Sequence, residues 1–161
     1  PGSLYTSIIP NLLVDGICES IKKSKAVKLY VCNIMTQPGE TDGYTLSDHI
    51  KAVEKHSYSG IVDYCIANTA GIPEELKKRY YDDGAEQVKV DEVITKSNKV
   101  KITVADFVNI KDGGYIRHDP YKLAEVIIDV VAEAVLANDR KRIIDYYYVK
   151  DSLKRGKSMQ V

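Results

Sequence analysis

Apolar residues recur at Ile8, Leu12, Ile17 and Ile21, a near-helical spacing that predicts a helix from Thr6 to Lys23 running through Gly16, with Pro10 tolerable only near its first turn. The pattern then changes to an apolar run from Val27 to Ile34, the signature of a buried strand. Leu46, Ile50 and Val53 mark a second amphipathic helix, for which Thr45 is the expected cap with Asp48 in its first turn. Gly60 to Asn68 predicts another apolar strand, ending in asparagine, and Pro73 opens a short charged helix through Tyr80. Val100, Ile102 and Val104 alternate with Lys99, Lys101 and Thr103, as in a half-exposed strand, with Val88 and Val90 as a weaker partner in an edge excursion. The strongest helix follows Asp119-Pro120, where Glu125, Asp129 and Glu133 oppose Leu123, Ile127, Val130, Val131 and Ala134. Asn138-Asp139 is expected to interrupt it. Residues 140–150, with Tyr146-Tyr147-Tyr148, fit either a further helix or a docked extended segment, and 152–161 reads as a flexible polar tail. The whole is an alternating α/β chain without internal repeats.

Composition narrows the class. A chain of 161 residues with 44% hydrophobic content is one domain with enough apolar material for a core. Lys+Arg and Asp+Glu are 23 each, so the global balance points neither to nucleic acid nor to an anionic membrane surface. Cys18, Cys32 and Cys65 lack a Cys-x-x-Cys spacing and sit in apolar stretches, which predicts reduced, buried thiols and no zinc site. No apolar stretch approaches the roughly 20 residues of a membrane span, and no charged-then-apolar leader precedes a cleavage site, so a cytoplasmic protein is expected. The chain opens at Pro1-Gly2-Ser3-Leu4 without an initiator methionine, inside what reads as a glycine turn into a helix, and is expected to be a fragment of a longer protein.

The candidate chemistry gathers at strand ends. Asn33-Ile34-Met35-Thr36-Gln37-Pro38-Gly39-Glu40-Thr41-Asp42-Gly43-Tyr44-Thr45 follows the first strand directly. Such connections usually run about 2–6 residues, and a longer, polar, glycine-punctuated one is more often functional than filler. Ligands of open α/β sheets collect where parallel strands finish, so this reads as a binding loop. Asn33 and Asn68 would set two amides along that rim, able to read a base or a sugar, although asparagine is also common in turns. Gln37, Glu40, Thr41 and Asp42 supply donors and acceptors. Glu40 and Asp42 fit a hard cation or an acid–base pair, but loop carboxylates are more often solvated or bonded to their own loop. Tyr44 fits stacking on a base or packing the loop down.

Two further segments carry features suited to phosphate. Gly2-Ser3-Leu4-Tyr5-Thr6-Ser7 combines a glycine, hydroxyls and a following helix, a pattern shared with any plain N-cap. Asp112-Gly113-Gly114-Tyr115-Ile116-Arg117-His118-Asp119-Pro120 reads as a second glycine-rich loop ending at a helix start. There Arg117 suits a bidentate grip on a diphosphate, with a surface salt bridge as the bland alternative. Asp119 is better explained as an N-cap and His118 as a structural hydrogen bonder. His49 and His56 share a predicted helix and make no metal pair.

The opening Pro1 to Ser7, the run Met35 to Gly43 and Ile116-Arg117-His118-Asp119 together resemble the YvcK or gluconeogenesis-factor branch of the CofD-like proteins, the 2-phospho-L-lactate transferases. The resemblance implies the C-terminal half of a doubly wound, Rossmann-like parallel sheet, whose first half, with its glycine-rich nucleotide loop, is absent from this chain. It implies a binder of UDP-sugars, notably UDP-N-acetylglucosamine, in gluconeogenic growth, cell-wall precursor supply and cell shape, with no required cofactor. By position, Gly2, Ser3 and Thr6 would line the phosphate side and Arg117 the diphosphate. Asn33, Thr36, Gln37, Gly39, Glu40, Thr41, Asp42 and Asn68 would serve the sugar or base side. The expected partners are the missing N-terminal half, an aminosugar-synthesis enzyme and a second copy of the chain. The alternative is a CofD-type transferase, which would use magnesium to bring a nucleotide-activated phospholactate to a deazaflavin acceptor.

Overall fold

The computed structural model describes residues 2–91, 100–111, 114–136, 144–148 and 150–151. A π-helical turn at Leu4–Ile8 leads into α1 (Ile9–Leu12) and α2 (Ile17–Lys23). These are followed by β1 (Leu29–Val31), α3 (Leu46–Lys55), β2 (Tyr64–Asn68), α4 (Glu74–Asp82) and β3 (Lys101–Ala105). An antiparallel pair, β4 (Val108–Lys111) and β5 (Tyr115–His118), then precedes α5 (Pro120–Leu136).

β1, β2 and β3 form a parallel sheet in that order, with Tyr30 opposite Cys65 and Cys65 opposite Ile102. All five residues of β2 are buried, as the central strand of a sheet covered on both faces requires. Its side chains alternate between two cores. Cys65 and Ala67 join Leu46, Ile50 and Val53 of α3 with Leu4 and Ile9, whereas Tyr64 and Ile66 join Phe107, Ile116 and Val130 of α5. Helices therefore cover both faces of a parallel sheet, the doubly wound Rossmann-like arrangement expected for half of such a domain.

Local chemistry explains the helix starts. The Asp48 carboxylate reaches back to the Thr45 N–H at 3.1 Å and its hydroxyl at 2.9 Å, which holds the start of α3 and keeps this carboxyl below its usual pKa. Asp119 accepts from the N–H groups of Tyr121 and Lys122 at 3.0 Å, making it the cap of α5. Cys32 and Cys65 are buried, and burial pushes the Cys65 thiol up to about 12.

Several expectations are corrected. The single helix from Thr6 to Lys23 is broken at residues 13–16, because Gly16 turns left-handed (φ 82°) and starts α2 as a separate segment. Cys18 is half-exposed rather than buried, its Sγ donating to the Leu12 carbonyl at 3.1 Å. Val88 does not pair with the 100–104 strand. Its N–H donates to the Ile34 carbonyl at 2.9 Å, and Gln87 bridges to Met35, so residues 85–91 strap the long loop instead. The second glycine-rich loop is largely a hairpin, with Arg117 on the strand β5 opposite Asn109. In α5, Val131 belongs to an exposed apolar stripe with Tyr121, Ile128 and Val135 rather than to the packed face. Residues 144–148 are helical, whereas the expected interruption at Asn138-Asp139, the expected loop residues Asp112 and Gly113, and the expected tail 152–161 lie outside the described residues.

Candidate functional site

The long loop is built largely from its own polar groups. Gly39 (φ 78°) and Gly43 (φ 69°) take the left-handed backbone that lets it reverse. Buried Thr41 accepts the Gln37 N–H on its hydroxyl at 2.8 Å, and the Asp42 carboxylate accepts the Gly39 N–H at 2.9 Å. Buried Thr36 faces the strap, donating its N–H to the Glu86 carbonyl at 2.7 Å and accepting the Glu86 N–H on its hydroxyl at 2.8 Å. The strap continues with the Leu46 N–H donating to the Lys89 carbonyl at 2.9 Å and the Ser47 N–H to Asp91 at 3.0 Å. Thr36, Thr41 and Asp42 therefore shape the loop, the two threonines buried in protein and the exposed Asp42 carboxylate bonded to Gly39.

Three contacts tie the start of the chain to this loop. The Ser3 hydroxyl donates to Glu40, whose other oxygen accepts from the Gln37 amide at 3.3 Å. Asn33 donates from Nδ2 to the Gly2 carbonyl at 3.3 Å, leaving its buried Oδ1 without a partner. Tyr5 and Tyr44 share a hydroxyl–hydroxyl hydrogen bond of 2.8 Å, which, with burial, pushes the Tyr5 phenol up to about 12. The Tyr44 ring stands edge-on to Tyr5 and His49, so it packs the loop down. Ser3 also accepts the Thr6 N–H at 3.4 Å, the plain cap that the opening hydroxyls allow.

From the other side, β5 approaches the end of β1. His118 donates from Nε2 to the Cys32 carbonyl at 3.3 Å and stacks on fully buried Phe107, as the expected structural hydrogen bonder. The Ile116 N–H donates to the Tyr80 hydroxyl at 2.9 Å, and Arg79 donates to the Gly114 carbonyl, so α4 holds the hairpin in place. Between the loop and the hairpin lies a cleft of about 670 Å³ whose lining includes Asn33, Gln37, Tyr80, Asp83, Tyr115 and Arg117. It opens where β1 ends, and Arg117 is exposed to it.

This geometry joins some of the predicted residues and separates others. Asn33, Thr36, Gln37 and Arg117 line one cleft, with Gly2, Ser3 and Glu40 bonded to its loop side. Asn68 is not there. Its Oδ1 accepts the Phe107 N–H at 3.2 Å and its Nδ2 donates to the Ala70 carbonyl at 3.3 Å, and it borders a different groove with Lys77 and Lys89. The paired-amide rim is thus replaced by one amide at the cleft and one that fastens the chain beyond β3. Glu40 and Asp42 face different partners, and among the described residues no group of three or more His, Cys, Asp or Glu is arranged to hold a metal ion. Sequence reasoning missed Tyr80, Asp83 and Tyr115. The alternation of Tyr115 with Arg117 was the available signal, hidden by reading that segment as a loop.

A parallel three-stranded sheet with helices on both faces, and a cleft at the carboxyl end of its first strand, belongs to the class of Rossmann-like α/β domains. Residues 1–108 match the family described as 2-phospho-L-lactate transferase CofD, and the chain belongs to that family. It is similar to proteins named gluconeogenesis factor from Halalkalibacterium halodurans, 47% identical over 80% of this chain and 40% of that protein, and from Bacillus subtilis, 43% identical over 83% and 42%. A Clostridium acetobutylicum relative is 44% identical over 99% of this chain and 35% of its own length. A crystal structure of a UPF0052-family protein from Bacillus halodurans superposes with a TM-score of 0.75 at 49% identity, covering 79% of this chain and 41% of that one. The chain thus spans well under half the length of these relatives. Among the described residues, no helix is long and apolar enough to cross a membrane.

Proposed function

We propose that the cleft between residues 33–38 and β5 binds a nucleotide sugar, with UDP-N-acetylglucosamine as the ligand of first choice. The observation that carries this reading is the convergence of Asn33, Gln37 and Arg117 on one cleft of about 670 Å³. A diphosphate needs a fixed cation with paired donors, and the exposed guanidinium of Arg117 supplies both. A sugar needs neutral donors and acceptors, and the exposed Gln37 amide supplies both, with Asn33 beside it on the cleft wall. Ser3 and Thr6 stand on the phosphate side, and Gly39, Glu40, Thr41 and Asp42 support the sugar side by shaping the loop.

In the whole protein this site would act as a sensor. The names of the relatives support a role in gluconeogenic growth. The ligand would link that role to cell-wall precursor supply and cell shape, in the cytoplasm, through an aminosugar-synthesis enzyme as partner. The missing N-terminal half would complete the nucleotide pocket, and the working unit would be a homo-oligomer. The family description favours a second reading, a CofD-type transferase that brings an activated phospholactate to a deazaflavin. Its magnesium would need converging carboxylates, whereas Glu40 turns to Ser3 and Gln37 and Asp42 to Gly39. That divergence supports binding over group transfer.

Calorimetric titration of UDP-N-acetylglucosamine into the chain, alone and with its N-terminal half restored, tests the reading. Arg117→Ala is expected to weaken binding at least tenfold, the loss of a charge-assisted pair worth about 1.5–3 kcal/mol. Absence of binding in the restored protein would overturn the sensor reading. Turnover detected by mass spectrometry with metal, nucleotide and acceptor would establish the transferase.

A further inference from the structure

We infer that Tyr115 is the stacking platform for the base of the nucleotide, and so the residue that selects a nucleoside diphosphate over a base-free sugar phosphate. This rests on the proposed ligand class and goes beyond it by assigning the base end of the site. Tyr115 and Arg117 are both exposed and, two apart on β5, project to the same face of the strand. Both line the cleft. The strand rise of about 3.3 Å per residue separates their Cβ atoms by roughly 7 Å, a spacing that leaves room for one ribose between a ring on Tyr115 and a phosphate on Arg117.

The ring is also prepared for stacking. Arg79 carries its guanidinium over the Tyr115 ring, 5.6 Å from the centroid, and is itself held by the Gly114 carbonyl and by Tyr80, whose ring centroid lies 5.7 Å away. One face of the Tyr115 ring is thus backed by a cation, while the side chain as a whole remains 58% exposed. A large aromatic left open to water beside a guanidinium in a cleft contributes little to the core. Every base offers a π face to such a ring, so the platform selects for the presence of a base rather than for its identity.

The test compares uridine diphosphate N-acetylglucosamine with N-acetylglucosamine 1-phosphate by calorimetry on the chain with its N-terminal half restored. Tyr115→Ala and Tyr115→Leu are expected to weaken the nucleotide sugar about 5- to 100-fold and leave the sugar phosphate unchanged, while Tyr115→Phe retains the wild-type preference. Leucine keeps apolar bulk against α4, so a loss shared by alanine and leucine but spared by phenylalanine reports stacking rather than collapse of the hairpin. Equal nucleotide affinity in all three variants, with Arg117→Ala still weakened, overturns the platform and leaves the cleft reading intact. Failure of the wild-type protein to bind either probe overturns both.

Discussion

The Ser3 hydroxyl donates to the Glu40 carboxylate across 37 residues of chain, fastening the start of the first helical turn to the loop that follows β1. A negative charge on the loop assigned to the sugar side therefore engages one of the hydroxyls assigned to the phosphate.

Replacing Glu40 by Gln removes this charge and leaves a neutral amide oxygen to accept from Ser3. Glu40→Gln is expected to strengthen binding of UDP-N-acetylglucosamine several-fold, since like charges in a partly screened site oppose one another by about 1 kcal/mol. Titration at low and high salt checks this, and a weakened affinity would mean that Glu40 accepts from the sugar hydroxyls.

Gly114 and Gly39 both hold positive φ, 71° and 78°, but their surroundings differ. A Cβ on Gly114 would lie 2.8 Å from Arg79 Nη1 and 3.1 Å from Leu76 Cδ2, whereas one on Gly39 meets nothing within 4 Å. Gly39→Ala is therefore expected to cost only the backbone strain of about 1 kcal/mol, and Gly114→Ala more, because the hairpin must shift on α4. Urea unfolding of the two variants decides it. Equal losses would show that Arg79 simply swings aside.

His49 gives a pH dependence with a definite sign. Its Nδ1 donates to the Thr45 carbonyl at 2.8 Å, and its buried Nε2 has no partner to receive a proton. Burial holds its pKa below the ordinary value of 6.5. The unfolded chain consequently binds a proton first, and stability falls as pH drops from above 6.5 toward the lowered folded value. Half-buried His118, lowered chiefly by burial, adds to the same trend. Thermal midpoints measured from pH 7.5 to 5 should fall with acidification. His49→Gln should flatten the profile, and an unchanged slope in that variant would remove His49 as the source.

Asn68 provides a control for the site. Asn68→Ala would leave the buried Phe107 N–H without its acceptor, at a cost of about 1–3 kcal/mol. Its amide is turned to protein and it lies outside the cleft, so nucleotide-sugar affinity should remain within about twofold of wild type once folded protein is compared. A selective loss of affinity without loss of stability would return Asn68 to the ligand.

Much of this was readable from short-range pattern. The Leu46, Ile50 and Val53 spacing with Thr45 and Asp48 located α3, because helix periodicity and caps are decided within a few residues. The apolar run ending at Asn68 located β2 for the same reason. The first helix misread at Gly16 shows the limit, since the same apolar spacing fits one helix or two and only the left-handed glycine decides. The 112–119 segment misled in another way. Gly114 marked a turn correctly, but whether the flanking residues pair as strands depends on a surface to pair on, here supplied by Tyr80 and Arg79 of α4.

The sequence by itself determined the alternating α/β class, the long loop at the end of β1 and the residue types a nucleotide sugar would require, because these are properties of local composition and order. Only the tertiary structure decided which of those residues face one another. It brought Asn33, Gln37, Tyr115 and Arg117 to one cleft, turned Thr41 and Asp42 into the loop's own bonds, tied Thr36 to Glu86 of the strap, and gave Asn68 to Phe107. The reason is physical. A buried polar group must find a partner, and which partner it finds depends on chain segments far away in sequence that packing brings within about 3 Å.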